Sequence, residues 1–188
     1  FGLTKVFSDE SGYLTDNQFF TCNGRGLADL MLNEYLDTAR IANNSWGDRL
    51  IFGSGGNAGL YTADSQTYDI AVRDAVETGT ISLTNTPGTS PLNQEMTAVF
   101  AAGNANGVDS SGHADITTTA PATAKNIIAV GATENVRPND GCTPVGSESD
   151  NSEDMSFFSS FGPTEDGRFK PEIVAAGSSD CSIRNRPA

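Results

Sequence analysis

Asn104 is the residue best placed to take part in chemistry. It follows Gly103 directly, at the end of the apolar run formed by residues 99–102. A short apolar run bounded by turn residues predicts a strand that is buried on both faces. Ligands of open α/β sheets bind beyond the carboxyl ends of the strands, where an Asn side chain presents two N–H donors. The same pattern also fits an Asx turn without a functional role, so this stretch alone leaves both interpretations open.

His113 is the only histidine of the chain, and Ser110 and Asp115 lie near it in the sequence. A Ser–His–Asp triad requires the imidazole to lie in space between a nucleophile and a carboxylate. Nothing in the local sequence imposes that geometry. The pattern therefore favours a loop histidine over a catalytic one.

Four acidic residues form a cluster on one loop: Glu148, Asp150, Glu153 and Asp154. Several carboxylates on one loop, together with backbone carbonyls, can bind Ca²⁺. The spacing of an EF-hand is absent, and a solvated acidic loop has the same composition. The sequence therefore favours a solvated loop and no required cofactor, with a structural Ca²⁺ as the alternative.

A glycine-rich stretch contains Gly53, Gly55 and Ala58, which fit a loose dinucleotide-binding fingerprint. That motif also requires an acidic residue at a strand end about 20 residues later. Asp74 and Glu77 stand near that distance but fall within a predicted helix. The pattern therefore favours an ordinary loop, and an unrelated nucleotide-binding domain is the least favoured function.

The composition of the chain limits its domain class, its partners and its possible disulfides. The chain has 188 residues, of which 37% are hydrophobic, and a formal net charge of −13, which fits one domain with a sizeable core. This charge disfavours nucleic acid and anionic membranes as partners, and no apolar run approaches the ~20 residues of a membrane span. Cys22, Cys142 and Cys181 allow at most one intrachain disulfide. A Cys142–Cys181 pair is the favoured pairing, and three free thiols are as well supported.

Alternating helices and strands are predicted to position these groups. Apolar residues at helical spacing predict a helix that begins near Leu27 and ends near Arg40. A second helical stripe contains Tyr68 and Val72 and ends with Gly79 as its C-cap. Short apolar runs predict strands at residues 3–7, 41–44, 97–102, 127–132 and 170–177. This alternation predicts one domain with a parallel sheet and helices on its faces.

Four segments, taken together and in this order, resemble the subtilisin-like serine proteases (subtilases). They are residues 41–47 (IANNSWG), 100–104 (FAAGN), 122–133 (ATAKNIIAVGAT) and 158–177, which contains FSSFGP and KPEIVAAG. The resemblance runs from about residue 3 to about residue 177, and residues 130–138 look most like the large bacterial alkaline protease branch. It implies an α/β fold of three layers, with a mostly parallel sheet flanked by helices, incomplete in this chain.

The resemblance implies site residues as well. Asn104 matches the oxyanion-hole asparagine of the family, and Thr119 stands near the pocket base, where family members often have Gly. Six further residues match the walls of the primary specificity pocket: Ser45, Trp46 and Gly47, whose backbone pairs with the substrate as an added strand, and Ala101, Ala102 and Gly103 on the opposite side. In acyl transfer, a fixed N–H donor aimed at the carbonyl oxygen stabilises the transition state more than the ground state.

The resemblance also implies which parts are missing. Subtilases take an Asp and a His from segments upstream of the strand at residues 3–7, and a Ser from a Gly-Thr-Ser-Met-Ala helix start; none of these occurs here. Residues 1–188 are therefore expected to form a partial peptidase domain that lacks the N-terminal Asp and His segments and the C-terminal Ser segment. The first residue, Phe1, lies close to a predicted strand, which indicates a processed product or a partial sequence.

The expected function is that of a portion of a secreted serine endopeptidase that hydrolyses peptide or protein substrates, with this chain inactive by itself. Such an incomplete sheet would expose large apolar faces, which soluble monomers avoid. Complementary segments are therefore expected from another chain, a nicked partner or further sequence. The alternative is a truncated or degenerate subtilase fold that binds peptides or partners without cleaving them.

Overall fold

A computed structural model describes residues 28–51, 56–75, 95–105, 116–136 and 151–178. These residues contain two helices, α1 (Ala28–Leu36) and α2 (Ala63–Arg73), and four strands. The strands are β1 (Ile41–Asn44), β2 (Thr97–Ala101), β3 (Ile128–Thr133) and β4 (Ile173–Ala176). The predicted strand at residues 3–7 lies outside this part of the chain, as do the three cysteines.

The four strands form one parallel sheet in the order β1-β2-β3-β4. Asn44 of β1 aligns with Phe100 of β2, and Phe100 aligns with Ala129 of β3. The next pair aligns Gly131 of β3 with Val174 of β4. Each strand must therefore be entered by a crossover from the one before it, and α2 lies in the crossover between β1 and β2. The predicted α/β fold with a parallel sheet is confirmed.

Helix α1 ends earlier than its apolar periodicity predicts. Thr38 takes a positive φ of 69°, its N–H donates to the Tyr35 carbonyl, and the N–H of Ala39 donates to the Glu34 carbonyl. These two bonds form a Schellman motif, which satisfies the last carbonyls and stops the helix. The Arg40 guanidinium then donates to the Tyr35 carbonyl at 3.2 Å, where a cation suits the helix dipole.

Helix α2 also ends before its predicted limit. Its last residue is Arg73, and Asp74 is the C-cap, with an N–H that donates to the Ile70 carbonyl. The predicted cap Gly79 lies outside the described residues. The chain then re-enters the sheet, since the Met96 N–H donates to the Val72 carbonyl and the Thr97 N–H to the Arg40 carbonyl. Neither described helix is long and apolar enough to cross a bilayer.

Three aromatic rings form the centre of the core. The rings of Tyr68 and Phe100 lie 4.7 Å apart at an interplanar angle of 78°, and Trp46 packs edge-on against both, at 5.9 Å and 5.4 Å. Such edge-to-face pairs stabilise a core beyond the area that they bury. They join α2, β2 and the residues that follow β1 into one cluster, which extends to Met31 of α1.

The sheet is covered on one face only within the described residues, which corrects the expectation that β2 is buried on both faces. Ala98 and Phe100 are buried, whereas Thr97 and Ala101 are exposed. Strand β1 alternates in the same way, whereas the cover does not extend to β4, whose four residues are exposed on both faces. The physical reason is that α1 and α2 both contribute to the same core cluster, on the face that carries Phe100.

Candidate active site at the carboxyl ends of β1 and β2

The chain that leaves β1 is anchored by a tryptophan that points into the core. The Trp46 indole N–H donates to the Asn44 side-chain oxygen at 3.1 Å, and the Asn44 amide donates to the Val99 carbonyl at 3.5 Å. Trp46 is half-buried, while Ser45 and Gly47 on either side are exposed. The side chain of Trp46 thus fixes the segment, and its exposed neighbours leave backbone at the surface of the site.

A second segment, residues 116–120, lies against Gly47 and Asp48. The Asp48 N–H donates to the Ala120 carbonyl at 2.8 Å, and the Thr119 hydroxyl donates to the Asp48 carbonyl at 2.8 Å. A Cβ at Gly47 would lie 3.2 Å from the Ala120 oxygen. Thr119 is therefore a buried residue that connects residues 116–120 to the predicted pocket wall. Its hydroxyl already donates a hydrogen bond to the Asp48 carbonyl.

The chain that leaves β2 makes a tight turn around Asn104. The Ala102 N–H still donates to the Val130 carbonyl at 2.9 Å, so pairing with β3 continues to this point. Gly103 then takes a φ of +115°, a conformation that L side chains rarely adopt. Asn104 follows and is exposed. Asn106, whose N–H an Asx turn would use, lies outside the described residues.

Parallel pairing brings these two exits together. Because Asn44 and Phe100 are partners in the register, the residues that follow them leave the sheet side by side. The structure therefore places Ser45, Trp46 and Gly47 beside Ala101, Ala102, Gly103 and Asn104 at one edge of the sheet. This edge is the carboxyl end of both strands, the position at which open α/β sheets bind ligands.

Sequence reasoning missed one residue of this site, Ser160. It is fully buried, its N–H donates to the Gly103 carbonyl at 3.0 Å, and its Oγ accepts from the Ala105 N–H at 3.0 Å. Its segment, FSSFGP, contributes to the family resemblance, but nothing in that segment assigns a role to Ser160. The sequence holds two adjacent serines there, and nothing local distinguishes Ser160 from Ser159.

Two buried groups near the core have shifted pKa values. Burial, together with the charges of Glu34 and Asp64, raises the pKa of Tyr68 above its ordinary value, so its phenol stays neutral. The Tyr68 hydroxyl is buried without a hydrogen-bond partner among the described residues. Burial also lowers the pKa of Lys170, against the opposing effect of its ion pair with Glu172.

The other predicted sites are only partly described. Glu153 and Asp154 are exposed, and Glu148 and Asp150 lie outside the described residues. Within the described ranges no group of three or more His, Cys, Asp or Glu residues could hold a metal ion. The Ca²⁺ site therefore stays a prediction, and His113 lies outside the described residues.

Asn57 joins the two described ends of the glycine-rich loop. Asn57 donates to the Arg49 carbonyl at 3.0 Å and accepts from the Ile51 N–H at 2.8 Å. Gly53 and Gly55 lie outside the described residues. Asp74, considered as the acidic partner of a dinucleotide, caps α2 instead of ending a strand.

Comparison with known proteins agrees with this architecture. A protein of Aquifex aeolicus (strain VF5), "Uncharacterized protein aq_aa18", is 40% identical over 77 residues, which cover 41% of this chain and 32% of that protein. The aligned segment therefore spans about a third of that relative. The model of the "Subtilase family" matches residues 15–187 and specifies no branch within the family. Since this match covers nearly the whole chain, and with it every described strand and helix, the chain belongs to the subtilase family of serine peptidases.

Proposed function

We propose that this chain is the central portion of a subtilisin-like serine endopeptidase, which hydrolyses peptide bonds by acyl transfer. One observation carries the proposal: in a chain of this family, an exposed amide, Asn104, stands at the end of β2 beside the exposed backbone that follows β1. A donor and a peptide-binding strand are thus side by side. Secretion and a peptide or protein substrate are part of the proposal.

The Asn104 amide acts as the oxyanion donor. Negative charge grows on the carbonyl oxygen as a nucleophile attacks, and a donor that is already fixed in place stabilises this charge without reorganisation. The turn around Asn104 is held by hydrogen bonds to Val130 and Ser160. This anchoring supports the role, because a preorganised donor contributes more to the transition state than to the ground state.

Substrate binds in extended form along the segment Ser45–Gly47. Peptides add to exposed backbone as an extra strand, and main-chain hydrogen bonds supply much of the affinity. Ser45 and Gly47 are exposed, and the buried contacts of Trp46 hold the backbone between them. Ala101, Ala102 and Gly103 form the facing wall, and Thr119 narrows the base between the two.

The nucleophile, the base and its carboxylate come from segments that complement this chain. The open face of the sheet supports this part of the proposal: Ile41 and Ile173 both lie on it and are 67% and 53% exposed. Parallel sheets are covered on both faces in folded proteins, because their strands are apolar on both sides. By this proposal the chain alone does not hydrolyse peptides.

The test uses the full-length product that contains this chain, assayed on a peptide substrate. Asn104→Ala should lower kcat by about 10²–10³ with little change in KM, the magnitude known for such a donor in subtilisin itself. The matched control is Asn126→Ala, since Asn126 is also exposed but precedes β3, at the opposite edge of the sheet.

Three other outcomes would contradict parts of this proposal or favour the alternative. An unchanged kcat for Asn104→Ala contradicts the oxyanion role. Absence of hydrolysis by the wild-type product, together with peptide binding, favours the binding module. A fluorophosphonate probe that labels a residue within positions 1–188 contradicts the assignment of the nucleophile to complementary segments.

A further inference from the structure

Ser160 forms hydrogen bonds with the turn on both sides of Asn104. Its backbone N–H donates to the carbonyl of Gly103, the residue before Asn104, at 3.0 Å. Its Oγ accepts from the N–H of Ala105, the residue after Asn104, at 3.0 Å. Ser160 is fully buried, with 0% of its surface exposed. One buried residue thus fixes both peptide units that flank the exposed amide.

The turn is shaped around this serine. A Cβ at Gly103 would lie 2.8 Å from the Ser160 Oγ and 3.3 Å from its Cβ. Together with the φ of +115°, this contact leaves glycine as the residue that fits at position 103. The serine side chain therefore occupies the space that a side chain of the turn would otherwise fill.

The segment that carries Ser160 is itself fixed. The N–H of Phe161, the next residue, donates to the Thr117 hydroxyl at 3.2 Å, and the Thr117 N–H donates to the Phe161 carbonyl at 3.0 Å. Thr117 is also buried. Ser160 contacts the turn through two direct hydrogen bonds. The position of this fixed segment therefore determines the position of the turn.

We propose that Ser160 is a positioning residue that aims the Asn104 amide at the developing oxyanion. The inference rests on the proposed function, in which Asn104 is the donor. Ser160 acts through the backbone: its hydroxyl holds the Ala105 N–H, and loss of this acceptor frees the carboxyl side of the turn while the Gly103 contact remains. The donor is then present but less well aimed.

The neighbouring Ser159 is a matched control. It is the same residue type, it is also buried, and its Oγ accepts a backbone N–H at 3.0 Å. That N–H belongs to Ala132 of β3, not to the turn after β2. Ser159→Ala therefore removes a comparable hydrogen bond and a long one from its Oγ to the Ser160 carbonyl at 3.4 Å, but it removes no contact with the turn after β2.

The experiment is a double-mutant cycle in the full-length product, with kcat and KM measured on a peptide substrate. Ser160→Ala should lower kcat by about 5-fold to about 100-fold, since a misplacement of about 1 Å costs up to about 10²-fold. KM should change by less than about twofold, because ground-state binding does not use the donor. In the Asn104→Ala background the same substitution should change kcat by less than about twofold, since the residue acts through Asn104.

The outcomes separate this inference from the proposed function. If Asn104→Ala leaves kcat unchanged, the proposed function fails. If Asn104→Ala lowers kcat but Ser160→Ala resembles Ser159→Ala, or acts equally in both backgrounds, only the positioning role fails. Should Ser160→Ala not fold, Ser160→Cys keeps a side chain of similar shape with a weaker acceptor, and an unchanged kcat for that variant overturns the inference.

Discussion

The two faces of the sheet differ in how far the described residues bury them. On one face Phe100 is fully buried among Tyr68 and Trp46. On the other face Ile41 is 67% exposed, although it lies in the strand next to Phe100. The two residues are both large and apolar, so their difference in burial reflects which face a helix covers and not their hydrophobicity.

This difference shows how the candidate site is built. The covered face supplies rigidity, because Trp46 and Phe100 anchor the chain that leaves β1 and β2. The open face leaves the carboxyl edge accessible, with Ser45, Gly47 and Asn104 exposed. Under the proposed function, complementary segments occupy the open face and bring the reacting groups to this edge.

The largest effect is expected on the covered face. Phe100→Ala should destabilise the chain by about 3–5 kcal/mol, since it removes a buried ring and leaves a cavity between Trp46 and Tyr68. The midpoint of urea denaturation measures this loss. A change below about 1 kcal/mol would contradict the description of this face as the core.

A much smaller effect is expected on the open face. Ile41→Ser should change the free energy of unfolding of the 188-residue chain by no more than about 0.5 kcal/mol, as at most surface positions. In the full-length product, covered by complementary segments, the same substitution should cost about 1.5–3 kcal/mol, because full burial of an isoleucine side chain contributes about that much. Equal, small losses in both proteins would argue against a covering segment.

The smallest effect is expected at the rim of the covered face, where Arg168 joins residues 164–168 to the core. Arg168 donates to the Thr123 carbonyl at 2.8 Å and pairs with Asp166 at 3.0 Å. The pKa of Asp166 is lowered from 3.8 to about 2. The largest cause is its hydrogen bond with Arg168, and the next is the hydrogen bond from Thr164.

A lowered pKa of an acid stabilises the folded chain above the unfolded pKa, and this contribution is lost as the pH falls from about 4 to about 2. Melting temperatures between pH 5 and pH 2 should therefore fall slightly further for the wild type than for Asp166→Asn. Parallel curves would show that the pair with Arg168 contributes nothing measurable, as at many exposed ion pairs.

Much of the fold follows from local sequence patterns. The predicted strands at 41–44, 97–102 and 127–132 agree with the observed ones to within one residue. The helices agree in position, but their ends do not, because Thr38 and Asp74 stop them through backbone hydrogen bonds. A non-glycine residue at a positive φ, such as Thr38, has no clear signal in the sequence.

The candidate site also contains residues that the sequence suggests and one residue that it does not. The sequence suggests Asn104 from its own stretch, because it follows a short apolar run at a strand end, and it suggests Ser45–Gly47 through the resemblance to the family. It does not suggest Ser160, since its partners Gly103 and Ala105 lie more than 50 residues away. The sequence places Gly103 at the end of an apolar run, but it does not identify the side chain that packs against this glycine.

The sequence by itself determined the order and type of the elements, the family, and the residues that stand at the strand ends. These depend on periodicity and short motifs, which neighbouring residues carry. Only the tertiary structure decided that both described helices pack on one face of the sheet and that Ser160, not Ser159, holds the turn at Asn104. The reason is physical: burial and hydrogen-bond partnership depend on groups that are distant in the chain, and parallel strands meet only through long crossovers.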